Sequence, residues 1–371
     1  MKKKTVALIF GAYSSEYPVS LKSAHNVLTH MNYDKYDVIC IGITDDGKWL
    51  RYNGDIDKIF NDEWRKNKED CVPVVLLPDR HAGGFLEFRD GETVLTKVDV
   101  LFPMIHGRTG EDGCLQGLFE LTGIPYVGCG VLPSAICMDK DVAHRLARTV
   151  GIKTTKSVIG YAAESVEEIM KRAEGMKYPL FIKPSCAGSS YGVSEVKDES
   201  EFAPAVELAA KYGNKIKIEE KVVGVEVGAS VLGTGRDLIV GEVDEIVLEY
   251  GFLNTHLQAT PEKGSVNSSL RMPAELPEDY RERMKEKGIT IEELREQIKQ
   301  TAIDMYRVSE CKGCARVDMF VTEDLEIYLN EVNTMPGFTT YSRYPLMMQG
   351  GGMEIEELLE YMIEDASTVL E

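Results

Sequence analysis

The first 130 residues alternate short apolar runs with polar loops and amphipathic stretches. TVALIFG reads as a buried strand, AYSSEYP as the loop that leaves it, and VSLKSAHNVLTHM carries apolar residues at helical spacing. YDVICIGIT is a second buried strand. VDVLFPMIHG and IPYVGCG are two more, with GCLQGLFELTG a helix between them. Strand, loop, helix and strand in this order predict a parallel sheet with ligand-binding loops at the carboxyl ends of its strands. Chemistry is therefore expected in the loops after IFG and PMIHG.

Beyond Gly128 to Pro133 the pattern changes. SAICMDKDVAHRLARTVG reads as one helix, KTTKSVIGY as a strand and SVEEIMKRAEG as a helix. YPLFIKPSCAGSSYGVSEV reads as two strands joined by a glycine and serine loop. IKIEEKVVG leads into an extended antiparallel meander, EVGASVLGTGRDLIVGEVDEIVLEYG. A long charged helix follows, PEDYRERMKEKGITIEELREQIKQTAIDMYRVSE, interrupted at Gly288. CARVDMFVTEDLEIYLNEVN then makes a hairpin, and MEIEELLEYMIEDASTVL a closing amphipathic helix. The expected architecture combines α/β and α+β units: a Rossmann-like N-terminal unit (1–128), a small central unit (129–222) and a C-terminal α+β unit (223–371).

A chain of 371 residues is too long for one ordinary core, in keeping with several units. Its 42 basic residues against 61 acidic give a formal charge of −19, which argues against a nucleic-acid partner or an anionic membrane surface. The N-terminal apolar run VALIF is too short for a signal peptide or a membrane span, so a cytoplasmic protein is expected. Eight cysteines are scattered along the chain. Cys311 and Cys314 form a CxxC without the second ligand pair of a structural zinc site, so free thiols in a reducing compartment are expected.

The hairpin is the most informative piece. With Thr322 to Leu325 as its connection, Val321 faces Glu326, Arg316 faces Glu331 and Asp318 faces Leu329. Alternation then puts Arg316, Asp318, Glu331 and Asn333 on one face, with Val317, Met319 and Val332 on the other. Two readings stand: a solvated face laced with ion pairs, or a site where Asp, Glu and Asn oxygens take a hard divalent cation. TMPGFTTYSRYP follows at once, with a Pro-Gly turn whose N–H groups suit an oxyanion and an arginine and serine that suit a carboxylate. KPSCAGSSYG is either a phosphate-closing loop with Lys183 at its base or a plain flexible hairpin; its lysine precedes the glycines, unlike a P-loop. HGRTGEDGCLQG sets His106, Glu111 and Asp112 at a strand end running into a helix, where acids also serve simply to complement the helix dipole.

Together these stretches resemble the D-alanine-D-alanine ligase family of ATP-grasp enzymes. SSEYPVSLKSA, HGRTGEDGCLQG, GIPYVGCG, SAICMDK, YPLFIKPSCAGSSYGV, RVDMF and LNEVNTMPGFTTYSRYP occur in the family's order, almost from end to end. The resemblance implies that Glu16 holds the ammonium of a first D-alanine, with His106 near its carboxylate. It implies that Lys140 and Lys183 touch the ATP phosphates, with Ser189 and Ser190 in the loop over them, and that Lys263 also binds ATP. Glu219, Glu220 and Val222 would contact adenine and Glu226 the ribose. Asp318, Glu331 and Asn333 would bind two Mg²⁺ (or Mn²⁺) ions. Arg316 and the N–H of Gly337 would stabilise a tetrahedral intermediate, and Ser342 with Arg343 would hold the second substrate's carboxylate. A homodimer acting on small-molecule substrates for peptidoglycan precursors is the family expectation. Cys186-Ala187 departs from the polar residues usual before GSS, and the charged stretch 281–294 reads as an added surface helix of unknown purpose.

The acceptor is read from the loop 251–273. Dipeptide-forming members carry a tyrosine there; this chain has none between Gly251 and Pro273. LNTHLQATPEKGSVN instead resembles the loop of D-alanine-D-lactate ligases of the vancomycin-resistance type, which places His256 at the acceptor subsite. D-lactate is the expected acceptor, with D-alanine and D-serine as alternatives and an exposed loop histidine as the plain reading of His256. A remoter alternative is an ATP-binding module that has lost ligation. That reading predicts gaps among Glu16, Arg316, Asp318, Glu331, Asn333 and the PGF turn, and none is missing.

Overall fold

The computed structural model describes residues 2–188, 191–248 and 268–368. Ser189, Ser190, His256 and Lys263 lie outside them, as does most of the loop 251–273.

The first sheet, among the described residues, has seven strands: β1 (Lys4–Gly11), β2 (Tyr36–Ile43), β3 (Trp49–Tyr52), β4 (Cys71–Leu76), β5 (Gly84–Arg89), β6 (Glu92–Lys97) and β7 (Val100–Met104). The order is β6-β5-β4-β3-β2-β1-β7. Only β2, β1 and β7 run parallel, so the expectation of a parallel sheet holds for that end of it alone. The other four strands are added antiparallel, through short turns such as the one at Gly91 (φ +79°), because consecutive strands that close together need no crossover helix. IPYVGCG is not a strand. It makes one bridge, Leu101 with Tyr126, since Pro125 has no N–H to extend a ladder and Gly128 (φ +97°) turns the chain away.

Helix α1 (Tyr17–Thr29) covers one face of this sheet, burying Leu21, Ala24, Val27 and Leu28 against Leu8 and Phe10. α2 (Asp57–Phe60) is a single turn, and α3 (Cys114–Thr122) packs Leu115 and Phe119 on the other face. The expected single helix from Ser134 is two, α4 (Val131–Met138) and α5 (Lys140–Thr149). Asp139 breaks them: its backbone is extended and its side chain caps the N–H groups of Asp141 and Val142. The break makes Lys140 the first residue of α5.

The next strands, β8 (Lys153–Thr154), β9 (Ser157–Tyr161), β10 (Leu180–Pro184), β11 (Ser194–Val196) and β12 (Lys215–Glu220), divide between two sheets. β9 to β12 form an antiparallel four-stranded sheet, order β11-β10-β12-β9, covered by α6 (Val166–Arg172) and α7 (Phe202–Ala210). β8 instead joins the third sheet, where Cys137, Ala143 and Ala147 of α4 and α5 also pack. Residues 129–222 thus contribute to two sheets.

That third sheet adds β13 (Gly224–Leu232), β14 (Ile239–Val240), β15 (Asp244–Leu248), β16 (Ser268–Arg271), β17 (Cys314–Thr322) and β18 (Ile327–Asn333), in the order β16-β15-β13-β17-β18-β8 with β14 beside β13. α8 (Glu278–Lys287) and α9 (Ile291–Val308) lie on it, separated at Gly288 (φ +66°). The charged stretch 281–294 is accordingly not a free surface addition: Met284 and Leu294 are buried in this core. α10 (Arg343–Gly350) packs beside β13. α11 (Ile355–Thr368) returns to the first sheet with Leu358, Leu359, Met362 and Ile363. No helix among the described residues is long and apolar enough to cross a membrane.

Candidate active site

The β17–β18 hairpin pairs differently from expectation, with an instructive result. Val321 faces Ile327, one residue beyond the expected Glu326, and a bulge opposite Asp318 and Met319 leaves Asn330 unpaired. Each shift alone would turn the side chains to the wrong face. Together they add to a two-residue shift, which restores the face: Arg316 faces Asn333 and Asp318 faces Glu331, so all four polar side chains share one face while Val317 and Val332 go to the core.

That face is dense with charge. Asp318, 2% exposed, accepts two hydrogen bonds from Arg316, each 2.8 Å, and one from the Asn333 amide at 2.9 Å, and pairs with Arg343 at 3.2 Å. Lys140 Nζ lies 3.0 Å from Glu331 Oε2, and its charge is the main reason that Glu331 is held down to about 2. Asp318, Glu331 and Asn333 offer the hard oxygen donors that Mg²⁺ accepts. No cluster of three His, Cys, Asp or Glu placed to hold an ion occurs among the described residues, so an ion here would draw on the Asn333 amide and on ligand oxygens.

Arg343 is held more tightly than the sequence suggested. Nε and Nη2 each donate to Asp244 at 2.8 Å, and Nη1 donates to Glu226 at 3.0 Å. Burial pushes Glu226 up to about 7. To take a substrate carboxylate, Arg343 must share or exchange one of these acids. Asp244, fully buried, was not picked out from the sequence. Space for the pair comes from Gly228, where a Cβ would sit 2.5 Å from Arg343 Nη2 and 3.0 Å from Asp244 Oδ1. We expect Gly228→Ala to raise the KM for the second substrate and to cost about 2 kcal/mol of stability; an unchanged melting temperature and KM would show the pair to be dispensable.

His106 is a strut for the Met335–Phe338 turn. It is buried, its Nδ1 lies 2.9 Å from the Met335 carbonyl and its Nε2 2.9 Å from Ser23 Oγ. Burial lowers its pKa to about 4, so the ring is neutral: Nδ1–H donates and Nε2 accepts from the serine. Ser23 Oγ also accepts the N–H of Phe338 at 3.1 Å, and Asn26 donates to the Phe338 carbonyl at 2.8 Å. Ser23 and Asn26 were missed in the sequence; two polar residues three apart on the core face of α1 were the available signal. Gly337 sits within the turn they fix. Ser342 folds back on it, accepting from the Thr339 N–H at 2.9 Å.

Lys183, near the end of β10, meets Glu219 Oε1 at 2.5 Å; Lys140 also donates to the Ala187 carbonyl at 3.0 Å. The glycine loop comes down against the first sheet's loops, for a Cβ at Gly188 would lie 2.5 Å from Glu16 Oε1. Glu111 accepts the Gly107 N–H at 2.9 Å; burial, then the nearby Glu16 charge, pushes it up to about 8.

These groups line one cavity of about 890 Å³. Glu16, His106, Glu111 and Gly337 are part of its lining. Lys140, Lys183, Arg316, Asp318, Glu331, Asn333 and Arg343 make its charged wall, with Glu219, Glu220, Val222 and Glu226 along the strand edge. Ser342 does not line it, whereas Arg281 of the charged helix does. The cavity thus holds carboxylates suited to an ammonium group together with lysines and arginines suited to phosphates.

The chain was compared with known proteins. The family description "D-ala D-ala ligase N-terminus" matches residues 5–129, and "D-ala D-ala ligase C-terminus" matches residues 146–364. A putative D-alanine–D-lactate ligase from Streptomyces coelicolor is 42% identical over 368 residues, 99% of each chain. The vancomycin B-type resistance protein VanB from Enterococcus faecalis is 42% identical over 98% of each chain. The crystal structure of the VanG D-Ala:D-Ser ligase from Enterococcus faecalis superimposes with a TM-score of 0.86 at 43% identity, covering 98% of this chain and 100% of that one.

Proposed function

This chain belongs to the D-alanine-D-alanine ligase family of ATP-grasp enzymes, and we propose that it joins D-alanine to D-lactate at the expense of ATP, for cell-wall precursors. The observation that carries the proposal is the shared cavity: Glu16, Lys140, Lys183 and the Arg316, Asp318, Glu331 and Asn333 face all line it. The relatives' activities, D-lactate in one and D-serine in another, support the class of acceptor and leave its choice to the loop 251–273.

In this reading Glu16, with Glu111 behind it, holds the ammonium of the first D-alanine and directs its carboxylate toward the cationic wall. A carboxylate oxygen attacks the terminal phosphorus of ATP, and ADP leaves. Lys140 and Lys183 neutralise the phosphates in place of water. Mg²⁺ held by Asp318, Glu331 and Asn333 supplies further charge neutralisation when bound. The acceptor's hydroxyl oxygen then attacks the acyl carbon; its proton is lost, and phosphate departs with the electrons of the broken C–O bond. Arg316 and the Gly337 N–H, held in place by His106 and Ser23, receive the negative charge that develops on the acyl oxygen. The loop with Ser189 and Ser190 and the lid with His256 and Lys263 exclude water, which would hydrolyse the acyl phosphate. We further take the enzyme to work as a cytoplasmic homodimer, where ATP is supplied, with 1–128, 129–222 and 223–371 as its three units.

His256 is assigned the choice of nucleophile. An imidazole that is partly cationic repels the ammonium form of an amino-acid acceptor and attracts the D-lactate carboxylate. Ester product is therefore expected to dominate at neutral and lower pH and dipeptide to rise with pH. His256→Ala is expected to shift the balance toward dipeptide at neutral pH. Product ratios across pH for both proteins test this, and a ratio that His256→Ala leaves unchanged refutes the assignment.

A further inference from the structure

Against the cavity lies a polar network of which the reaction above leaves Lys217 and His144 without a part. Lys217, on β12, has no exposed surface, a costly place for an ammonium group. Its Nζ meets Glu219 Oε2 at 2.7 Å and donates to His144 Nδ1 at 2.8 Å. Nε2 of His144 donates to the carbonyl of Asn330, the bulge residue of the hairpin, at 2.8 Å. Burial and then the Lys217 charge lower His144 to about 3, so its ring is neutral and free to accept from Lys217. Burial lowers Lys217 itself to about 8, which leaves it largely protonated at neutral pH. Thr155 Oγ1 also donates to Glu219 Oε2, at 2.7 Å. Glu219 thus carries two lysines, Lys183 and Lys217, where one would neutralise it.

We propose that Lys217, oriented by His144, is the standing counter-ion of Glu219 and a positioning residue that frees Lys183 to move onto a polyphosphate ligand. While Lys183 sits on Glu219, two ammonium groups face one carboxylate. When Lys183 turns to a phosphate, Glu219 and Lys217 remain as a neutral buried pair. Without Lys217 the same movement would strand a buried carboxylate, which is strongly unfavourable, so Lys183 would stay on Glu219. His144 adds aim: with Asn330 fixing one ring nitrogen, the other holds the Lys217 ammonium against Glu219.

The inference rests on the cavity being a nucleotide site, and the test separates the two. Binding of ADP with Mg²⁺, and of adenosine, is measured by calorimetry for wild type and Lys217→Met. Thermal unfolding of the ligand-free single variants Lys217→Met and Lys183→Met is compared with that of the double variant. Lys217→Met is expected to bind ADP about tenfold or more weakly and adenosine unchanged. Each single variant keeps one counter-ion and loses little stability. The double variant is expected to melt about 5 °C or more below the sum of the two losses, and Glu219→Gln in that background to recover the excess. Unchanged ADP affinity in Lys217→Met, or additive melting losses, overturns the proposal. Wild type that fails to bind ADP overturns the nucleotide reading and this inference with it. Should Lys217→Met not fold, Lys217→Met/Glu219→Gln is expected to fold and bind ADP, and its failure to do either overturns the proposal.

Discussion

Arg316→Met is expected to lower kcat about a hundredfold to a thousandfold, with a much smaller change in the KM for ATP. The guanidinium is fixed by two 2.8 Å bonds to Asp318 and lines the same cavity as Gly337 of the PGF turn. A donor held that rigidly does not reorganise as charge develops, which is why its loss falls on turnover rather than on binding. The variant is expected to fold, because Asp318 keeps Arg343 at 3.2 Å and Asn333 at 2.9 Å. Steady-state kinetics with a parallel melting curve decide the matter, and a variant that retains more than about a tenth of wild-type kcat contradicts the assignment.

Asp318→Asn should be more damaging, because one carboxylate serves two purposes. It is the shared counter-ion of Arg316 and Arg343 on a buried face, and removing its charge leaves two guanidinium groups facing each other at a cost of about 3 kcal/mol. It is also a hard oxygen donor for Mg²⁺, and its loss is expected to take turnover down about a thousandfold. Denaturant unfolding and ADP release should both respond. A variant that loses activity but keeps full stability would make Asp318 a metal ligand only; one that loses stability alone would remove it from the reaction.

Much of this site was legible because strand alternation is a strong constraint. Arg316, Asp318, Glu331 and Asn333 were placed on one face without knowledge of the true register, and two compensating one-residue shifts kept that placement. The sequence could not reveal the compensation, since a bulge at Asn330 depends on neighbouring strands rather than on local composition. Asp244 escaped for a related reason. Alternation predicts one exposed acid in the DEIV segment, yet Asp244 and Glu245 are both buried, one on Arg343 and the other accepting the N–H groups of Glu275 and Leu276.

The fold was readable where helical or buried-strand periodicity was long. α1, α3, the α8–α9 pair broken at Gly288 and the closing α11 follow from the pattern. The antiparallel strands between Trp49 and Lys97 were not seen, because half-exposed edge strands such as β6 have no sustained apolar face to announce them. The role of His106 also had to come from the structure. A histidine after a buried strand signals function, but its bonds to Met335 and Ser23 join residues far apart in the chain. The buried polar pair Ser23 and Asn26 of α1 and the PGF turn explain each other only once the fold brings them together.

The central claim is tested most directly by incubating the purified protein with ATP, Mg²⁺, D-alanine and D-lactate near neutral pH, and measuring ADP alongside the D-alanyl product by mass. The account predicts ADP and D-alanyl-D-lactate in equal amounts, with the depsipeptide exceeding any dipeptide. ADP release without any D-alanyl product, or dipeptide as the main product under these conditions, would contradict it.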